Sequence, residues 1–256
     1  MDIQVPIGHD LWVMDNYIPT GVGIRVKLKL QENEYVLMTS TPSERYSYEI
    51  TTCTLKMYGL IPTSQAIAKH AQLLSKQKAI FHYTRSELKT KTVAYGVTEF
   101  EIDHIFSNQI PYEVILVCLS TSTYRGDYQQ NPYNFKHHNI SYVGLTIEGC
   151  QTMEFTPNFS TYQCAAEYNA LYEKDEPFTP HGNIVKRSEF HNGYAIFRFS
   201  IAPAAYDRPA RPKKGQMSMK VKMSQSVESD TITALVYGRF HDYFLLDEDK
   251  RVHLSK

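Results

Sequence analysis

A period-two rhythm of apolar and polar residues, returning in one segment after another, constrains this chain more than any other feature. In 140–149, Tyr142, Gly144 and Thr146 alternate with Val143, Leu145 and Ile147, and Gly149 closes the run. Ile24, Val26, Leu28 and Leu30 alternate with Arg25, Lys27 and Lys29. Ala195, Phe197, Phe199 and Ile201 alternate with Ile196, Arg198 and Ser200, and Met217, Met219, Val221 and Met223 with Ser218, Lys220 and Lys222. Successive side chains of a strand point to opposite faces, so each run reads as an antiparallel strand buried on one side. Further strands are expected at 35–39, 46–57, 78–84, 88–95, 98–105, 112–119 and 231–246. Many short strands divided by Pro, Gly and Asn loops predict an all-β sandwich or barrel.

Two short helices interrupt the pattern. In PTSQAIAKHAQLLSKQ, Pro62 with Thr63 or Ser64 supplies a start signal, and Ala66, Ile67, His70, Ala71 and Leu74 share one face. A second helix is expected over about 161–174, with a weaker stripe of Tyr162, Ala165, Ala166, Asn169 and Tyr172, lying over one end of the sandwich. The stretch 202–215 holds three prolines and four basic residues and reads as an irregular loop. At 256 residues and 42% hydrophobic, the chain can bury one sizeable core, and a single domain over 1–256 is the expected organisation.

Lys plus Arg and Asp plus Glu both number 27, so no overall basic excess draws the protein to nucleic acid or anionic lipid. Low mutual repulsion between copies suits a protein that packs against itself. Tyrosine, with 19 copies, is the outlier. Its ring favours pleated surfaces and protein interfaces alike. The N-terminal MDIQVPIGHDLW lacks a basic region followed by an apolar stretch, and VILVCL at 114–119 is too short to span a bilayer. A soluble protein without a cleaved signal and with no membrane partner is expected. Cys53, Cys118, Cys150 and Cys164 form no CxxC pair and read as free thiols, with Cys53 and Cys118 acting as small buried hydrophobes.

No catalytic constellation emerges. HExxH, GxSxG and a Walker loop are absent, and Gly21-Val22-Gly23 lacks the third glycine of a dinucleotide fingerprint. His137 and His138 are adjacent and point apart on an extended chain, a poor arrangement for sharing a metal. The expectation is a non-enzyme with no cofactor and no metal. Three surface features stand out instead. Arg125, Gly126 and Asp127 spell an integrin-type triplet in a predicted loop between Tyr124 and Tyr128. Arg208, Arg211, Lys213 and Lys214 form a local basic loop able to contact DNA phosphates. The DEDK run at 247–250 reads as a hairpin turn, and Asn139 and Asn158 fit the glycosylation pattern.

The segment NPYNFKHHNISYVGLTIEG at 131–149 resembles a motif of the double jelly-roll major capsid proteins of Polinton (Maverick) elements and adintoviruses, in which a similar Asn-Pro-aromatic-Asn-Phe-Lys-His run leads into a strand ending in Gly. From about His9 onward the chain resembles the second jelly roll of that family, in order and spacing. The matching segments are GHDLWVMDNYIPTGVGIRVKLKL, AIAKHAQLLSKQKAIFHY, DHIFSNQIPYEVILVCLSTSTYRGDYQQNPYNF, TPNF, RSEFHNGYAIFRFSIAP and TITALVYGRFHDYFLLDEDKRVHLS. Ser107 and Asn108 stand where the family usually has Gly.

The resemblance implies a single antiparallel jelly-roll sandwich and a capsid subunit, soluble in the host cell before assembly into a virion. It implies assembly as trimers or hexamers with itself and other capsid subunits, with weak contact to packaged DNA. Family members carry a first jelly roll upstream, so a separate chain supplying that half is an expected partner. Tyr133, Phe135, His137, Tyr194 and Phe197 are the candidate assembly and packing residues, with Tyr133 and Phe135 as anchors of the 131–138 loop. The competing expectation is a jelly-roll binding module for receptors or glycans, using the Arg-Gly-Asp triplet or stacked tyrosines.

Overall fold

The computed structural model describes residues 3–7, 16–172, 185–201, 213–227 and 231–254. Its strands in chain order are β1 (Ala79–Val93), β2 (Glu99–Ile102), β3 (Gln109–Ile110), β4 (Glu113–Ser120), β5 (Ile140–Ile147), β6 (Cys150–Phe155), β7 (Phe197–Ser200), β8 (Lys213–Lys214), β9 (Met217–Met223), β10 (Ile232–Leu246) and β11 (Val252–Leu254). Its helices are α1 (Asn33–Val36), α2 (Ser64–Leu74), α3 (Thr121–Arg125), α4 (Ala165–Ala170) and α5 (Arg187–Phe190).

One sheet runs β1-β10-β4-β7 and a second β2-β9-β5-β6; two-residue β3 and β8 pair with each other. Set aside those two and the C-terminal β11, and eight strands remain. In chain order they read first-eighth-third-sixth in one sheet and second-seventh-fourth-fifth in the other. That interleaving is the double Greek key of a jelly roll. The protein is an all-β antiparallel jelly-roll sandwich.

Contacts gather into two units, one of residues 30–47 and 86–240, the other of 1–29, 48–85 and 241–256. The larger unit holds the main core. Val114, Leu116 and Cys118 of β4, Phe197 and Phe199 of β7, and Ala234 and Val236 of β10 meet Val143 and Leu145 of β5 and Met217, Met219, Val221 and Met223 of β9. Alternation produces this core directly: β9 is buried at every second residue, and its Ser218 and Lys220 are only half-buried. Glu148 and Gly149, both at positive φ (51° and 76°), make the tight β5–β6 turn, as the primed hairpin turns require.

The smaller unit has a modest core of Phe81, Phe244 and Leu246. Phe81 and Phe244 stack at 5.0 Å with rings 2° apart. Asp247 closes the β10–β11 hairpin by accepting from the Arg251 amide at 2.8 Å and lying 2.7 Å from His253 Nε2. The turn expected at 247–250 is present.

Several expected elements differ. The alternating run 23–30 forms no strand, and Ile24, Val26, Leu28 and Leu30 stay 38%, 41%, 60% and 52% exposed. Segment 46–57 likewise forms no strand, Cys53 is exposed, and α1 occupies the start of the strand expected at 35–39. Alternation fixes which face of an extended chain is apolar; a strand also needs a neighbour to complete its ladder. The strands expected at 78–84 and 88–95 are one, β1. Helix α2 begins at the expected cap, with Thr63 Oγ1 accepting from the Ala66 amide at 3.3 Å, yet of its stripe Leu74 alone is buried. The helix expected over 161–174 is reduced to the short α4.

Candidate functional site

The loop between α3 and β5 is built by its own side chains. Asn131 Oδ1 accepts from the Tyr133 amide at 2.9 Å, and the Asn134 amide donates to the Asn131 carbonyl at 3.1 Å. Asn at the first and Pro at the second position of a turn is what this geometry selects. Pro132 is buried beneath it. The chain then crosses to the segment before β7: the Phe135 amide donates to the Gly193 carbonyl at 2.7 Å, and the Ala195 amide returns to Phe135 at 3.0 Å. Gly193 has φ 105°, the left-handed region that favours glycine, and an added Cβ would have to displace Asn134 Oδ1.

At the loop's far end His138 and Asn139 both adopt positive φ, 44° and 53°. His137 Nδ1 accepts from the Asn139 amide at 2.9 Å. The Asn139 carbonyl receives the Ser224 amide at 2.8 Å, and its side chain donates to Gln225 Oε1 at 2.7 Å, tying the loop to the end of β9. The His137 ring stacks on Phe159 at 4.3 Å. Phe159 in turn stacks on Phe190 at 6.3 Å and meets Phe197 edge-on at 6.5 Å, so an aromatic train leads from the loop into the core.

The structure thus brings four of the five candidate residues into one neighbourhood. Phe135 pairs with Tyr194, His137 reaches Phe197 through Phe159, and Phe197 is fully buried. Tyr133, expected as a packing anchor, is 65% exposed and does not pack inward. Burial first, then the phenols of Tyr133 and Tyr124, push the Tyr35 phenol above its ordinary value. Phe159 and Phe190 were not singled out from sequence; their position in TPNFS and RSEFHN, each beside a histidine-bearing or aromatic loop, is the signal available.

The Arg-Gly-Asp triplet does not form a free loop tip. Arg125 ends α3, Gly126 caps it at φ 107° close against Glu34 and Tyr35, and the Asp127 carboxylate accepts from the Gln129 amide at 2.9 Å and Gln130 Nε2 at 2.8 Å. Of the basic loop, Arg208 and Arg211 lie outside the described residues. Lys213 and Lys214 form β8, exposed and paired with Ile110 and Gln109. Asn108 has φ 55°. Asparagine is among the few residues that tolerate that left-handed backbone.

A buried charge cluster pins the jelly roll beside this site. Glu113, at the start of β4, is 3% exposed; Arg198 of β7 pairs with it through Nε and Arg239 of β10 through Nη1 at 3.3 Å. Arg198 also donates to the Leu171 carbonyl after α4. Among the described residues no group of three or more metal-ligating side chains converges, and no helix is long and apolar enough to cross a membrane.

Fold and site together define an antiparallel jelly-roll protein with an aromatic loop junction at one end. No family model matches the chain. It is 24% identical over 171 residues to the Caenorhabditis elegans uncharacterized protein F54H12.2, an alignment spanning 63% of this chain and 40% of that one. The chain therefore spans less than half of the relative it matches. Among solved structures, the PBCV-1 virus capsid overlaps 76% of this chain and 54% of its own at TM-score 0.46 and 9% identity. The mavirus major capsid protein overlaps 70% and 41%, at TM-score 0.40 and 9% identity. PBCV-1 VP54, fitted into a reconstruction of the virophage Sputnik, gives 76% and 54%, at TM-score 0.45 and 10% identity.

Proposed function

We propose that this chain is a structural subunit of a viral or virus-derived capsid, a jelly roll that works by packing against copies of itself and against other capsid subunits. The observation that carries this reading is that the resembling segments supply the jelly roll's own strands and loop, although the first of them, ending at Leu30, forms no strand among the described residues. The sequence segments resembling the Polinton and adintovirus capsid proteins fall in succession on β4, the 131–139 loop with β5, α5 with β7, and β10 with β11 of one jelly roll. A fold alone does not assign a role. Here the resemblance rests on loop chemistry too: Asn131, Pro132, Phe135 and His137 each have a defined structural task.

The surface suits repeated weak contacts. Tyr124, Tyr133, Tyr162 and Tyr194 are 38%, 65%, 61% and 41% exposed. Tyrosine supplies buried area and a hydrogen bond at interfaces. Trimers or hexamers, a place in the virion shell, and contact between Lys213 or Lys214 and packaged nucleic acid belong to the same proposal. Sedimentation velocity over a wide concentration range tests it. Discrete closed oligomers support the reading, and a monomer at every concentration, with or without co-expressed capsid subunits, refutes it.

A further inference from the structure

The 131–139 loop carries two histidines whose surroundings favour the neutral ring. Nε2 of His138 is buried and has no hydrogen-bond partner among the described residues. His137 uses Nδ1 as an acceptor for the Asn139 amide, so its neutral form carries the proton on Nε2 and any second proton must land on Nδ1. That proton would face the Asn139 N–H and expel it. The hydrogen bond in question holds the two positive-φ residues His138 and Asn139, which position the Asn139 carbonyl against Ser224.

Among the described residues, no acidic group bears on either ring. The charges bearing on His138 are Lys136 and His137, and on His137 it is His191, beyond the end of α5. Ser224 and Gln225, at the end of β9, are uncharged, and Glu189 of α5 is engaged by the Lys186 amide at 2.9 Å. Phe159 covers one face of His137, and Tyr162 meets His191 edge-on at 4.6 Å.

We infer that His137 and His138 form an acid-sensitive latch: neutral, they lock the Asn131–Asn139 loop onto β9 and the Gly193–Ala195 segment, and mild acidification releases it. Release frees Phe135 from its bridge to Tyr194 and uncovers Phe159, altering the aromatic end of the jelly roll. The latch belongs to the single chain and does not depend on assembly.

The sign follows from linkage. Burial, then Lys136 and His137, push His138 down to about 4 from an ordinary 6.5, so the closed loop binds fewer protons than the open one between those values. Closure is fully favoured above about pH 6.5 and weakens as pH falls toward 4. From His138 alone, opening should be ~20-fold more frequent at pH 5 than at pH 7. The test is amide hydrogen exchange on the full, unassembled chain, corrected for intrinsic rates. Protection at Phe135, Asn139, Ala195 and Ser224 should fall by about that factor in acid, while Val114 and Ala234 in the core hold. His138→Leu should flatten the response. Because a variant can misfold, the His138 ring is also titrated by NMR in the unaltered chain. Titration at or above 6.5, or equal loop protection at both pH values, overturns the inference.

Discussion

Replacing Glu113 with alanine should cost about 3–5 kcal/mol, the range for breaking a buried ion pair from one side. The structure says where that cost arises. Glu113 is 3% exposed and answers two guanidiniums, Arg198 at 13% and Arg239 at 34% exposure. Without the carboxylate, Arg239 can turn toward water and recover much of its hydration. Arg198 cannot, because β7 and the Leu171 carbonyl hold it in place. Most of the loss therefore belongs to Arg198, and Arg239→Ala should cost only about 1 kcal/mol, as for a partly exposed pair. Replacing Glu113 and Arg198 together with leucine should recover most of the single-variant loss, since no unpaired charge remains buried. Urea denaturation measures each value from the midpoint and slope. A Glu113→Ala loss below about 1 kcal/mol, or a larger cost for Arg239→Ala than for Arg198→Ala, would refute the assignment of Glu113 as the pin of this sheet.

Other consequences are as direct. Gly193→Ala places a Cβ at φ 105° and against Asn134, and should destabilise the protein by roughly 1–3 kcal/mol, read as a lowered denaturation midpoint. Cys53 and Cys150 are exposed and should react with a thiol reagent in the folded protein, while buried Cys118, its thiol pushed up to about 12 by burial, should react only on unfolding. Tyr133→Ala should leave the unfolding free energy in urea denaturation within about 0.5 kcal/mol of the parent, because the side chain is 65% exposed. If the assembly proposal holds, the same variant weakens association in sedimentation.

Much of the fold is legible in the sequence wherever two conditions coincide, alternation and a partner strand. Met217–Met223 shows both, and its burial follows its pattern residue by residue. Gly23–Leu30 shows the first alone, and β-pattern without a neighbour gives exposed apolar side chains rather than a strand. Strand β6, CQTMEF, went unread because Met153 and Phe155 are its only large apolar residues; it exists through its hairpin with β5. The loop chemistry of Asn131 and Pro132 is local and therefore readable. The tie from Phe135 to Gly193, and that from Glu113 to Arg198, join residues far apart in sequence and depend on strand order, which no local pattern encodes. Tyr133 shows that an aromatic residue in a motif need not be a core residue.

Electron microscopy of the purified chain, alone and with co-expressed capsid subunits, tests the central claim most directly. The account predicts closed rings or trimers of jelly-roll density, with the 131–139 loop and its tyrosines at or beside subunit contacts. Uniform single jelly rolls under both conditions, with those tyrosines facing solvent, would contradict it.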